Sequence, residues 1–196
     1  MTQQRRTETK DKIKCAFTQL LKEKGMETLT VSDIARRANI NRGTFYLHYI
    51  DKYDLLEQLE NKLIEDLTKI LLKDDDTVNF NDPLSIIPYD CILHTLYYVK
   101  SDFEFVQALV GKGGDPFFVE KFKKILEQLI FSVVEKSDNL KFSLKGIPQD
   151  YANEILLASV ISIILLWIKK GGVESPEEIA EMLSKAKEIS PYELLL

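Results

Sequence analysis

Cysteine, histidine and long apolar runs are scarce in this sequence of 196 residues. Its two cysteines, Cys15 and Cys91, lie far apart and form no CxxC pair, which excludes a disulfide framework and a zinc or redox motif of that spacing. The longest apolar run, 155–168, is shorter than the roughly 20 residues of a spanning helix, so we expect no membrane segment. The first ten residues lack the apolar core of a secretory signal, so we expect a cytoplasmic protein.

Clusters that could carry out chemistry are also scarce. Cys91 and His94 lie three residues apart and could form a thiolate and base or two metal ligands, but no third group completes a triad or a tetrahedral site. The glycines at 111–114 follow no predicted strand, so they are not a nucleotide-binding loop. We therefore expect no enzyme activity, no cofactor and no metal, and a core or pocket-lining role for Cys91 and His94.

The charge is distributed unevenly along the chain. Residues 1–50 carry ten Lys and Arg against five Asp and Glu, a net +5, whereas the whole chain has a net charge of −5. A locally basic module can bind phosphate although the remainder of the protein is acidic. The alternative at this point is a chance unevenness of solvated faces.

Apolar residues recur with helical period along almost the whole chain, which predicts an all-α fold. Gly25 is a predicted helix stop. The segment 74–88, with its Asp run, Asn and Pro, is typical of a linker. SPEE at 175–178 predicts a capping box with Pro at the first helical position. The further predicted helices cover about 52–73, 89–100, 102–110, 116–136, 150–170 and 176–189.

One helix-start pattern occurs three times between residues 29 and 56. The predicted caps are Thr30 with Asp33, then Asn41, then Asp51 with Asp54. The middle helix, 42–49, can be only about two turns long and follows a tight turn at 38–40, as in a helix-turn-helix. A generic three-helix core explains the caps equally well. Polar and aromatic side chains at exposed positions of the short helix favour DNA recognition: Arg42, Thr44, Tyr46 and His48.

These residues carry a family resemblance. The run TVSDIARRANINRGTFYLHY at 30–49, followed by DKYDLL at 51–56, resembles the DNA-binding signature of TetR-type transcriptional regulators, over about residues 7–70. WIKKGG at 167–172 before SPEE is similar to the C-terminal end of the small Gram-positive members of this family. Asn39 replaces the glycine usual in the turn, and asparagine tolerates the left-handed conformation required there.

The resemblance implies a set of residues that contact double-stranded DNA. Arg42 and Thr44 are assigned to the major groove, where an arginine can pair with guanine through two hydrogen bonds. A glycine inside a helix lowers helix stability by ~1 kcal/mol relative to alanine. A close approach of the backbone to DNA would explain why Gly43 is present in the short helix. A solvated face, a helix cap or a packing histidine are the alternative roles. The residues assigned to phosphates are Thr30, Tyr46, His48 and Lys52.

The same resemblance implies that the C-terminal part serves dimerisation and signal reception. The helix at 150–170 is apolar almost all round, so one face must be covered by a partner, which predicts a homodimer. The residues assigned to the dimer interface are Leu157, Ile161, Ser162 and Leu165. We also expect a small apolar or aromatic effector to bind in this part of the chain. A plain core role is the alternative for each of the residues assigned to the effector, which are Cys91, His94, Tyr98, Phe105 and Trp167.

The sequence therefore predicts an all-α chain with two modules. A three-helix helix-turn-helix domain covers 1–50, a connecting helix covers 52–73, and a helical-bundle domain for ligand binding and dimerisation covers 74–196. By resemblance the protein is a repressor that binds a palindromic operator as a homodimer and is released by a small molecule. The alternative is a helical ligand-binding or interaction protein without DNA binding.

Overall fold

The computed structural model describes residues 2–72, 88–135 and 148–186, and all regular secondary structure in these ranges is α-helical. This confirms the predicted all-α class. The helices, in chain order, are α1 Thr2–Thr28, α2 Val31–Arg37, α3 Arg42–Tyr46, α4 Lys52–Leu71, α5 Tyr89–Ser101, α6 Phe103–Val110, α7 Phe118–Glu135, α8 Gln149–Lys169 and α9 Pro176–Ala186.

The helix boundaries follow the predicted ones to within a few residues, with one clear exception. The short helix α3, predicted over 42–49, ends at Tyr46. Turns of hydrogen-bonded backbone follow it as far as Tyr49, whose amide donates to Phe45 O at 3.1 Å. The predicted linker 74–88 lies outside the described residues apart from Pro88, and so does the last part of the helix predicted at 176–189.

The predicted stop at Gly25 is a break inside α1. Gly25 has φ 74° and ψ 164°, a conformation that L side chains rarely adopt, and the chain then continues to Thr28. The break lies against Gly113, whose carbonyl accepts a 2.8 Å hydrogen bond from the Met26 amide. A Cβ on Gly113 would lie 2.6 Å from Gly25 Cα, so this contact requires glycine.

The chain forms two compact units. The first unit comprises Met1–Glu65 and Glu104–Phe118. Its core includes Phe17, Leu20, Ile34, Phe45 and Leu55, all buried. The segment 104–118 belongs to this unit although the sequence assigns it to the module 74–196. There Phe105 is buried, the Lys14 ammonium lies 5.1 Å from the centre of its ring, and Lys22 pairs with Glu104.

The second unit comprises Asp66–Phe103 and Val119–Leu196. Within it the turn after α8 is fixed by Trp167, which is 1% exposed and donates its indole N–H to Glu174 O at 2.9 Å. The Lys100 ammonium lies 5.7 Å from the centre of the Trp167 ring and donates to Gly172 O at 2.6 Å. The predicted capping box at 175–178 is confirmed, because Ser175 and Glu178 exchange side-chain and backbone hydrogen bonds.

Helix α8 corrects one length argument. The apolar run 155–168 is short, but the helical segment that contains it, Asp150–Lys169, is long and apolar enough to cross a membrane by length and composition. Apolar core helices of soluble proteins meet the same criterion. Length therefore does not exclude a span, and the expectation of no membrane segment stays a prediction.

Candidate nucleic-acid interface

Helix α2 begins at the predicted cap, Thr30. The Thr30 hydroxyl accepts a hydrogen bond from the Asp33 amide at 3.1 Å, and the Thr30 amide donates to the Asp33 carboxylate at 3.2 Å, which completes a capping box. The hydrogen bond from the Thr30 side chain, together with nearby Lys24, lowers the pKa of Asp33. The start of α2 is therefore fixed by local contacts, as predicted.

The turn between α2 and α3 has the expected geometry. Asn39 has φ 53°, which confirms the left-handed conformation predicted for this position. The Ala38 amide donates to Ile34 O at 2.8 Å and the Ile40 amide to Ala35 O at 3.0 Å. The chain thus turns within three residues, and Asn41 lies at the start of the next helix.

Helix α3 is held by its cap and by one buried ring. The Asn41 side-chain oxygen accepts from the Thr44 amide at 2.7 Å and from the Thr44 hydroxyl at 3.0 Å. Phe45 is fully buried and contacts Tyr46 edge-on and Tyr49 at a tilt, with ring centres 5.6 Å apart in each pair. A Cβ at Gly43 would meet only the Asn41 side chain, at 3.2 Å, so the backbone of Gly43 is open on its outer side.

The start of α4 is capped by Asp51, as predicted, but Asp54 reaches back to the residue before the cap. Asp51 Oδ1 accepts from the amides of Tyr53 and Asp54 at 2.8 Å, as expected for a cap. The Asp54 carboxylate reaches back to the Ile50 amide at 2.7 Å. Hydrogen bonds from Gln58 and from the Ile50 backbone lower the pKa of Asp54.

These elements enclose an open depression of about 350 Å³ on the first unit. Four predicted DNA-contacting residues line it, namely Thr30, Arg42, Tyr46 and Lys52. The Arg42 guanidinium lies 6.0 Å from the centre of the Tyr46 ring, and its Nη2 lies 3.4 Å from the Tyr46 hydroxyl. Sequence reasoning missed the other lining residues, because their contribution depends on the folded chain: Leu29, Val31, Ser32, Asp51 and Tyr53.

The remaining predicted residues lie beside the depression rather than in its lining. Gly43 is exposed on α3, and Thr44 is half-buried with its hydroxyl directed to the Asn41 cap. His48 is half-buried, and its ring centre lies 6.2 Å from that of Tyr49. The contact of Thr44 with the cap and the packing of His48 against Tyr49 are therefore structural roles for two residues that the sequence assigned to DNA.

Lys52 has a structural role that the sequence did not indicate. Its ammonium donates to three carbonyl oxygens in the last turn of α1 and the residue after it, those of Met26 at 2.8 Å, Glu27 at 3.1 Å and Leu29 at 3.0 Å. An ammonium has three N–H donors, and all three are used here. These hydrogen bonds give Lys52 a role in joining the start of α4 to the end of α1, and its contact with a phosphate stays a prediction.

The five residues predicted for the effector are divided between the two compact units, and their role in ligand binding stays a prediction. Phe105 belongs to the first unit and the other four to the second. Phe105 and Trp167 are both buried, and the Trp167 indole N–H is already hydrogen-bonded to Glu174 O. Both side chains therefore pack in the cores of their units. On α5, Cys91 is buried, His94 is exposed, and the Tyr98 hydroxyl donates to Asp66 Oδ2 at 2.8 Å.

The residues predicted for the dimer interface divide between the two faces of α8. Leu157 and Ile161 are 2% and 8% exposed, so they already pack within one protomer. Ser162 is exposed and Leu165 is half-buried. The outward face carries a row of exposed residues at helical spacing: Tyr151, Ile155, Ser159, Ser162 and Leu166.

Comparisons with known proteins show the family of this chain. Residues 16–59 match the family model described as "Bacterial regulatory proteins, tetR family", and residues 88–187 match the one described as "Transcriptional regulator C-terminal region". A TetR transcriptional regulator structure from Streptococcus agalactiae has a TM-score of 0.61 and 26% identity, with 95% of this chain and 97% of that chain covered.

Two sequence relatives carry regulator names. YxbF of Bacillus subtilis, an uncharacterized HTH-type transcriptional regulator, is 26% identical over 170 residues, which are 86% of this chain and 42% of that protein. The dhaKLM operon transcriptional activator DhaS of Lactococcus lactis is 26% identical over 126 residues, 63% of this chain and 61% of that protein. The chain thus spans between about two fifths and three fifths of the length of these curated relatives. With a helix-turn-helix at its N-terminal end and both family models matched, this chain belongs to the TetR family of DNA-binding transcriptional regulators.

Proposed function

We propose that this protein is a cytoplasmic repressor that binds a palindromic operator as a homodimer and leaves it when a small apolar molecule binds. The observation that carries the proposal is the open depression that Arg42 and Tyr46 of the recognition helix share with Thr30 at the start of α2. Such a surface presents a cation, hydroxyl groups and an aromatic ring to one ligand. Duplex DNA offers phosphates and base edges that match these groups.

Within this proposal the DNA contacts have separate tasks. Arg42 reads a base, since an exposed guanidinium on the recognition helix can form two hydrogen bonds with guanine. Thr30 and Tyr46 contact phosphates on either side and set the register of the protein on the duplex. Gly43 lets the α3 backbone come close to the groove, and Lys52, which lines the depression, joins the start of α4 to the end of α1.

Dimerisation through α8 supplies the twofold symmetry that a palindromic site requires. Ile155 and Leu166 are 57% and 59% exposed, and they flank the small residues Ser159 and Ser162. A second copy of the same helix would cover these apolar side chains, and the serines would allow the two backbones to approach closely. We therefore replace Leu157 and Ile161 in the proposed interface by Ile155 and Leu166.

Signal reception would act through α5 and α4. Tyr98 on α5 is hydrogen-bonded to Asp66 near the end of α4, and α4 continues without interruption to Lys52 beside the recognition helix. An apolar molecule near Cys91 and Tyr98 would shift the equilibrium only if it bound one arrangement of these helices better than the other. A 10- to 100-fold loss of DNA affinity needs about 1.4–2.7 kcal/mol of such preference.

The direction of regulation has a second candidate. DhaS, the relative with 26% identity over 126 residues, is named a transcriptional activator, which favours activation. A reporter gene behind the selected operator distinguishes the two. Expression of the protein should lower reporter output if it is a repressor and raise it if it is an activator. A protein carrying Arg42→Ala, which should recognise the site less well, serves as the control and should change the output less.

A further inference from the structure

Leu47 is an apolar side chain at the end of the recognition helix, and it is 74% exposed. Single exposed leucines are common on proteins and need no explanation by themselves. This one differs in its position, because it follows directly after Tyr46, which lines the proposed DNA-binding depression.

Helix geometry places Leu47 on the outermost line of α3. Phe45 is fully buried and therefore marks the inner face of this helix. With about 100° between successive residues, Gly43 and Leu47 both lie about 160° from Phe45, on nearly the opposite side. Gly43 has no side chain, so Leu47 is the outermost side chain on this line, with Arg42 and Tyr46 on one flank and Thr44 on the other.

Few groups on DNA can make a favourable contact with an exposed leucine side chain. Hydrogen-bonding groups dominate the base edges, and the C5-methyl group of thymine is the apolar group that the major groove presents. A leucine has no donor or acceptor, so against any other base edge it would displace water from polar groups without replacing their hydrogen bonds.

We propose that Leu47 is a specificity-determining residue that reads the C5-methyl group of one thymine in each half-site. This inference rests on the proposed binding of operator DNA and adds the chemical group that the recognition helix selects beside the Arg42 contact. The selected half-sites contain a thymine at one fixed position, and the preference there depends on the methyl group.

The test uses the full-length protein and the duplex that it enriches from a random pool. Each thymine common to the enriched sites is replaced in turn by deoxyuridine, symmetrically in both half-sites, which removes the methyl group and keeps base pairing. Burial of one methyl group corresponds to about fourfold in affinity per half-site, so we expect about 15-fold weaker binding at one thymine pair. Leu47→Ala should bind the thymine and deoxyuridine duplexes with nearly equal affinity.

Ile50 provides a matched control. It is 80% exposed and also apolar, but it lies in the turn after α3 rather than on the outer line of that helix. Ile50→Ala should retain the thymine dependence of the unchanged protein. Leu47→Ala should also unfold at the same temperature as the unchanged protein, since the side chain is exposed.

The outcomes separate this inference from the proposed function. If the protein enriches a palindrome but no deoxyuridine substitution weakens binding, or if the dependence persists in Leu47→Ala, the role of Leu47 is wrong and operator binding stands. If the pool yields no enriched site, both proposals are contradicted.

Discussion

The Tyr98 hydroxyl lies 2.8 Å from Asp66 Oδ2 and donates a hydrogen bond that joins α5 to the last turns of α4. Burial, followed by this hydrogen bond, raises the pKa of Tyr98 well above its ordinary value. The contact joins the helix expected to sense an effector to the helix whose first residues line the proposed DNA-binding depression.

Loss of this contact should cost measurable stability. We expect Tyr98→Phe to lower the free energy of unfolding by about 1 kcal/mol, since a half-buried hydrogen bond to a carboxylate is removed while the ring remains. This corresponds to a decrease in Tm of about 2–4 °C for a chain of this size. Tyr89→Phe, at an exposed position on the same helix, is the control and should leave Tm unchanged.

The pH dependence of this difference has a defined sign. The pKa of Tyr98 is raised in the folded state, so its contribution is fully present below the unfolded value of about 10 and is lost as pH rises towards the folded value. The gap in Tm between the unchanged protein and Tyr98→Phe should therefore be constant from neutral pH to about pH 10 and shrink above it. A gap that widens with rising pH would contradict the assignment.

Lys52→Met tests the structural role of that ammonium. The substitution removes three hydrogen bonds to carbonyls at the end of α1, and we expect a loss of about 2 kcal/mol in stability. The slope of log affinity against log salt for DNA binding should stay nearly unchanged. An unchanged Tm together with a slope smaller by about one would instead identify Lys52 as a phosphate contact.

In contrast to Lys52→Met, Arg42→Ala should alter DNA recognition and leave stability unchanged. Arg42 is exposed, and its contacts are with Tyr46, so Tm should not change. Competition between the enriched duplex and duplexes with single base changes should show that discrimination at one position falls by about 1–3 kcal/mol. Undiminished discrimination at every position would remove Arg42 from base recognition.

The sequence predicted those parts of the site that depend on neighbours three or four residues away. The caps at Thr30, Asn41 and Asp51 are of this kind, since the donor and acceptor lie within one helical turn. The left-handed Asn39 follows from the same local chemistry. The helix-turn-helix could therefore be recognised without knowledge of the tertiary structure.

The role of Lys52 could not be predicted in this way. Its partners are backbone carbonyls 23 to 26 residues earlier, and backbone carbonyls leave no signature in a sequence. The burial of Leu157 and Ile161, two of the residues predicted for the dimer interface, could not be predicted for another reason. Helix α8 is apolar on both sides, so its periodicity does not distinguish the face that packs within the protomer from the face that carries Ile155 and Leu166.

The two faces of α8 should respond differently to a charge. Ile155→Glu places a carboxylate on the exposed face and should give a folded monomer with weak operator binding. Leu157→Glu buries an unpaired charge, which costs several kcal/mol, and should prevent folding. Val173→Glu, at an exposed apolar position outside α8, is the matched control and should remain dimeric. Sedimentation that shows an unchanged dimer for Ile155→Glu would place the interface elsewhere.

Selection of bound duplexes from a random DNA pool by the full-length protein tests the central claim most directly. A symmetric dimer with one recognition helix per protomer should enrich a palindrome whose half-site centres lie about one helical turn apart or a multiple of it. The enriched duplex should bind two chains and lose affinity steeply as salt is raised. Enrichment of an asymmetric site bound by a single chain, or no enrichment at all, would contradict the account.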